Sequence, residues 1–122
     1  MILASQAAVA FVALSHVGFL VLEMFLWTTP TGRKVFRHSA EAAAQTAVLA
    51  KNQGLYNGFL AAGLVWGLVL SAGGAAHGVD VQRFFLGCVV VAGVYGGATA
   101  SRSILVVQAL PAAVALGLSA AS

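Results

Sequence analysis

A chain of 122 residues that is 61% hydrophobic and only 7% charged lies far from the roughly 25% charged residues of a soluble domain. That excludes a water-soluble fold and marks an integral membrane protein. The net charge of +3, six Lys and Arg against three acids, then reports orientation and lipid contact; no basic cluster interleaves with aromatics, which sets nucleic acid aside as a partner.

A bilayer core about 30 Å thick needs about 20 apolar residues of helix. Four segments qualify, at about 4–27, 52–72, 84–100 and 103–120. The first has no Lys or Arg before it and exceeds the length of a signal-peptide apolar region, so it reads as a retained helix. The longest connection, TTPTGRKVFRHSAEAAAQTAVLAK, opens with a Pro30-Thr31-Gly32 turn. Ser39 is the N-cap of the next helix, with Glu41 favourably placed in its first turn. The Ala-rich stretch that follows is helical by propensity, so the second helix covers about 40–72 and projects from the membrane at its start. GGAAHGVD and TASRS connect the remaining helices. Cys88, in an apolar run, is the only cysteine; it excludes an internal disulfide and reads as a small buried hydrophobe.

Orientation follows from the basic residues. Arg33, Lys34, Arg37, Lys51 and Arg102 fall on one side and Arg83 alone on the other. The positive-inside rule makes the richer side cytoplasmic and leaves both termini outside. Trp27 then lies at the cytoplasmic interface, as an aromatic-belt residue does. The expected fold is all-α: a single transmembrane domain over residues 1–122, built as a four-helix bundle.

Polar residues collect near the cytoplasmic end. On the second helix, Asn52, Gln53, Tyr56 and Asn57 share one broad face, while Ala47, Gly54, Gly58, Ala61 and Ala62 form a small-residue ridge on another. The ridge contains a GxxxG, suited to close helix approach and to an oligomer interface. In the first helix, His16 and Glu23 are seven residues apart, about 10 Å along the axis, on one face. Arg102, Gln108 and Tyr95 bring the third and fourth helices to the same layer. Taken singly, the amides read as glue between helices, Lys51 and Arg102 as snorkelling anchors, and His16 as a structural core histidine with no ligand-spaced partner for a metal. His38 and His77 read as solvated loop residues. Glu23 differs, because an intramembrane carboxylate is costly and is a functional hypothesis by default; its structural alternative is a pair with Arg102 or Lys51.

The strings HVGFLVLEMFLWTTPTGRKVF and LAKNQGLYNGFLAAGLVWGL resemble a family of small bacterial four-helix membrane proteins, domain of unknown function thirteen-oh-four. The likeness covers nearly the whole chain and implies a multi-pass protein of the bacterial inner membrane, with no activity attached. A second resemblance is to the MAPEG superfamily of eicosanoid and glutathione metabolism, four-helix trimers with both termini on the non-cytosolic side. KNQGLYN, with Lys51, Asn52 and Asn57, is similar in placement to the start of their second helix, and QALP, with Gln108 and Pro111, to their fourth. Leu55 and Tyr56 stand where that superfamily has a Glu after the Asn, and its arginine cluster is reduced to Lys51. This resemblance implies a homotrimer, with a dimer as second choice, and glutathione as the cofactor.

Three functions compete. The first is an oligomer binding a small amphipathic, anionic or lipid ligand in a cytoplasm-facing polar cavity. As a transferase or isomerase it would hold an anionic group on Lys51 and Arg102, with Tyr56 or Tyr95 as donor and Glu23 as acid or base. His16, Asn52, Gln53, Asn57 and Gln108 would complete the wall; haem on His16 is the weaker cofactor reading. The second is a proton-coupled exporter resembling the small multidrug-resistance transporters, whose first-helix glutamate lies nearer the midplane than Glu23. The third is a scaffold in which the polar layer only joins helices.

Overall fold

The computed structural model describes residues 2–122 and is all-α. Five helices follow one another: α1 Ile2–Met24, α2 Pro30–Phe36, α3 Ala40–Ala72, α4 Gly78–Thr99 and α5 Leu110–Ala120, the last entered through a π-helical turn at Leu105–Ala109. Three of them, α1, α3 and α4, are long and apolar enough to cross a membrane, and Leu105–Ala120 is a shorter apolar helix. The α3 helix has 33 residues, about 50 Å of length, so it outruns a bilayer core of about 30 Å.

Side chains are distributed as lipid exposure requires. Phe11, Leu14, Val48, Phe59, Trp66 and Val91 face outward, whereas Ser5, His16, Asn57, Gln82 and Ser119 are buried. Outward apolar surface on this scale is compatible with contact with a lipid bilayer, where small or polar residues between helices supply packing and hydrogen bonds.

Contacts gather the chain into two compact units, Ser15–Phe59 and the residues up to Leu14 together with Leu60–Ser122. In Ser15–Phe59, the end of α1 lies antiparallel to the start of α3. A Cβ at Gly54 would come within 2.6 Å of Met24 Cγ and 3.3 Å of the Leu20 carbonyl oxygen, and one at Gly58 within 2.7 Å of Leu20 Cδ1. The small-residue ridge of α3 is therefore spent at Gly54 and Gly58 on packing within the chain. Pro30-Thr31-Gly32, expected as a turn, is instead the first turn of α2: Thr29 caps it by accepting from the Gly32 N–H, and Pro30, which has no N–H to lose, suits the first position. Arg37 ends α2 in the left-handed region at φ 54. Ser39 caps α3 as expected, its Oγ accepting from the Ala42 N–H at 3.1 Å. The α1 helix stops at Met24, before the expected Trp27, because 25–29 turn to aim Trp27 at α3: its indole Nε1 donates to Thr46 Oγ1 at 3.0 Å. Phe36 and His38 pack on that indole, each with centroids 4.6 Å away.

In the other unit, α5 runs antiparallel to α4 in one unbroken register, with Arg83 beside Ser119, Gly93 beside Ala109 and Gly97 beside Leu105. The π turn has a local cause. Pro111 lacks an N–H and its ring conflicts with the carbonyl four residues back; the wider turn, in which the Leu110 N–H bonds the Leu105 carbonyl, relieves that crowding. Gly93 and Gly97 give it room, since a Cβ at Gly93 would fall 2.6 Å from the Ala109 nitrogen. The α4 helix begins at Gly78, six residues before the expected 84, because Gly67 and Gly78 let α3 and α4 approach closely: a Cβ on Gly67 would stand 3.1 Å from the Gly78 oxygen. Val9, Val12, Leu64, Leu86, Val89 and Ala112 form the core here.

Candidate functional site

Two polar clusters stand out, one in each unit. In Ser15–Phe59, the side-chain amide of Asn57 on α3 donates to Glu23 Oε1 on α1 at 2.5 Å. Gly54, one turn before Asn57, fixes the approach, because its absent Cβ would lie 3.2 Å from Glu23 Cβ. Asn57 is buried and Glu23 half-buried. Asn57 is the one hydrogen-bond partner of Glu23 in its unit, so a neutral amide, and no cation of that unit, meets this carboxylate.

The other expected residues divide by exposure. His16 is buried, with Phe19 edge-on at 5.1 Å. Lys51, Asn52 and Gln53 are exposed on α3, and Tyr56 is 51% exposed beside Phe59. Adjacent helical residues point about 100° apart, which is why Tyr56 faces outward while Asn57 faces Glu23. In the other unit Tyr95 is 71% exposed, Arg102 is exposed in the turn before the last helix, and Gln108 lies half-buried in the π turn. The structure thus joins Glu23 to Asn57 and leaves Lys51, Asn52, Gln53 and Tyr56 as an outward polar face of α3. Among the described residues no three His, Cys, Asp or Glu side chains converge as metal ligands.

The second cluster was missed by sequence reasoning. Gln82, 0% exposed, exchanges paired amide hydrogen bonds with Gln6 at 3.0 and 3.1 Å. Its Nε2 also reaches the Gly67 carbonyl at 3.1 Å and Ser71 Oγ at 3.0 Å. One residue on, Arg83 donates from Nε to Ser119 Oγ at 2.9 Å and from Nη2 to the Ser119 carbonyl at 2.8 Å. A recess of about 630 Å³ opens beside them. The signal was present: Gln6, Gln82 and Arg83 are polar groups bordering apolar spans, as Asn57 is, but a helix started at 84 leaves the last two in a loop.

Residues 10–120 match the family described as Protein of unknown function (DUF1304). The chain belongs to the DUF1304 family. It is also similar to the Uncharacterized protein YpaA of Lactococcus lactis subsp. lactis (strain IL1403), 30% identical over 99 residues that cover 80% of each chain. No solved structure matches the chain. The DUF1304 match takes in Glu23, Asn57, Arg83 and Ser119, so both clusters lie largely inside the family's own extent.

Proposed function

We propose that this DUF1304 protein is a four-span protein of the bacterial inner membrane that binds a small amphipathic ligand near its cytoplasmic end, with Glu23 as the polar contact inside the span and Lys51 as an anchor at the interface. The observation that carries this reading is the Asn57–Glu23 hydrogen bond. A carboxylate within an apolar helix is expensive. Here the amide satisfies part of one oxygen and leaves the charge for a proton or a ligand donor to meet.

Four spans are supported by the register of α4 with α5. A helix that follows α4 from Gly97 to Arg83 follows it across the same thickness, and helical backbone continues over 103–120, about 27 Å. Four crossings put both termini on one side. The five basic residues at 33, 34, 37, 51 and 102 favour the cytoplasm for the other side. Since Gly54 and Gly58 are taken up by α1, the exposed Asn52, Gln53 and Tyr56 are the face left for a second copy, and a homotrimer is preferred over a dimer on the MAPEG likeness. Glutathione transfer or isomerisation with Tyr56 as donor would need such a copy to close over Tyr56. Native mass spectrometry of the purified protein, identifying what travels with it, tests the reading; a chain that carries no small molecule would count against it.

A second reading is proton-coupled export through Glu23, favoured by the absence of a cationic partner for that carboxylate within Ser15–Phe59. Its test is ethidium movement in proteoliposomes under an imposed pH gradient. Gradient-independent ethidium levels, identical to those of empty liposomes, would remove it.

A further inference from the structure

The recess beside Gln82 lies wholly within one unit, at the end where α1 begins, α3 ends, α4 begins and α5 ends. Its wall carries hydrogen-bond donors from several directions. Ser5, Gln6 and Ser71 line it, with Arg83 and Ser119 at one side. Among the described residues no acidic side chain lines it, and no carboxylate side chain pairs with Arg83.

The donors have hydrogens to spare. Arg83 has five N–H groups in a rigid fork and uses Nε and one on Nη2 to hold Ser119, which fixes the guanidinium and leaves three. Gln6 spends one amide hydrogen on Gln82 and keeps one. Ser71 Oγ is one of three acceptors sharing the two Gln82 amide hydrogens and keeps its own hydroxyl hydrogen. Ser5 is only 2% exposed, and none of the hydrogen bonds among the described residues uses its hydroxyl. The bland account of Arg83, a cap on the last carbonyls of α5, explains two of its hydrogens and not the neighbours.

We propose that this recess binds a phosphate group, carried by a phospholipid headgroup or by a small phosphate ester. A pinned guanidinium recognises phosphate through paired, charge-assisted hydrogen bonds. A tetrahedral phosphate also offers acceptors in several directions, matching donors on more than one helix, which a planar carboxylate does not. Depth agrees with a headgroup: Arg83 is five residues into α4, about 8 Å along its axis, and Ile2 on the rim is 70% exposed. The volume of about 630 Å³ holds more than a bare phosphate. The site is independent of Glu23 and of the function proposed above.

Native mass spectrometry of the full chain in an uncharged maltoside detergent tests this with three probes: dioleoylphosphatidylglycerol, dioleoylglycerol as its phosphate-free counterpart, and inorganic phosphate. The expected result is retention of the phosphatidylglycerol and not of the dioleoylglycerol, with affinity reduced about tenfold or more by Arg83→Gln. Ala76→Trp, which places a large side chain at a residue lining the recess and leaves Arg83 and Ser119 unsubstituted, is expected to abolish retention even if Arg83→Gln does not fold. Saturable binding of inorganic phosphate without the lipid, lost in Ala76→Trp, supports the proposal and names a soluble phosphate ester as the ligand. Equal retention of the two lipids, equal retention by wild type and Ala76→Trp, or no binding of any probe overturns it.

Discussion

Asn57 hands a side-chain hydrogen to Glu23 across the antiparallel α1 and α3 helices, at 2.5 Å, where the absence of a Cβ on Gly54 lets the two backbones close. The two substitutions that break this relationship should behave differently. Asn57→Leu leaves the half-buried carboxylate without its partner and should destabilise the protein by about 1–3 kcal/mol. Glu23→Gln keeps an acceptor for the amide and should change stability by less than about 1 kcal/mol. Unfolding of both variants in mixed micelles, compared with wild type, measures the difference; equal losses would mean that the pair acts only as glue.

Glycine substitutions should sort by what the new methyl meets. At Gly67 the Cβ would lie 3.0 Å from the Gln82 backbone nitrogen and 3.1 Å from the Gly78 oxygen, atoms that cannot rotate away. Gly67→Ala should therefore cost about 1–3 kcal/mol by overpacking. At Gly87, inside the same unit, nothing lies within 4 Å, and Gly87→Ala should stabilise by roughly 0.5–1 kcal/mol through helix propensity. Thermal unfolding midpoints that moved in the same direction for both would contradict the packing of α3 on α4.

The Trp27 indole donates to Thr46 Oγ1, tying the connection before α2 to the first turns of α3. Thr46→Val keeps the shape and removes the acceptor, so the cost should be about 1 kcal/mol. In a Trp66→Phe background the emission of Trp27 reports it directly, and the loss of a bonded indole N–H should shift its maximum. An unchanged spectrum would place Trp27 away from Thr46.

Topology is tested by membrane-impermeant maleimide on chains with Cys88→Ala. Ser39→Cys should be labelled only from the cytoplasm, and Ala76→Cys and Ala121→Cys only from outside. Labelling of Ala121→Cys from the cytoplasm would reduce the crossings to three and sink the α4–α5 argument.

Much of this was legible in the sequence where one physical signal acts alone. Length and apolarity mark α1, α3 and α4 as spans, and Ser39 with Glu41 marks the start of α3, because a cap is a local arrangement. That Glu23 and Asn57 lie at matched depth was also legible, but that Asn57 alone meets Glu23 while Asn52, Gln53 and Tyr56 face outward was not. The rest depends on partners distant in sequence. The end of α1 at Met24 is set by Thr46, and the onset of α4 at Gly78 by Gly67. Composition does not reveal that the Gly54–Gly58 ridge is used against Leu20 and Met24 rather than against another copy. The α2 helix was misread for a different reason: Thr29-Pro30 is a helix start as well as a turn signal, and the Arg33 N–H bonding to the Thr29 carbonyl at 2.9 Å separates them.

The most direct test of the account is the occupancy of the co-purified ligand in wild type, Glu23→Gln and Asn57→Leu, read by native mass spectrometry alongside each variant's unfolding transition. The account predicts a small molecule, still carried by Ala76→Trp and so bound outside the recess beside Arg83, that Glu23→Gln loses while its transition stays where wild type's lies, and that Asn57→Leu loses with a lowered transition. Undiminished occupancy in a folded Glu23→Gln would contradict it and leave the Glu23–Asn57 pair a structural contact.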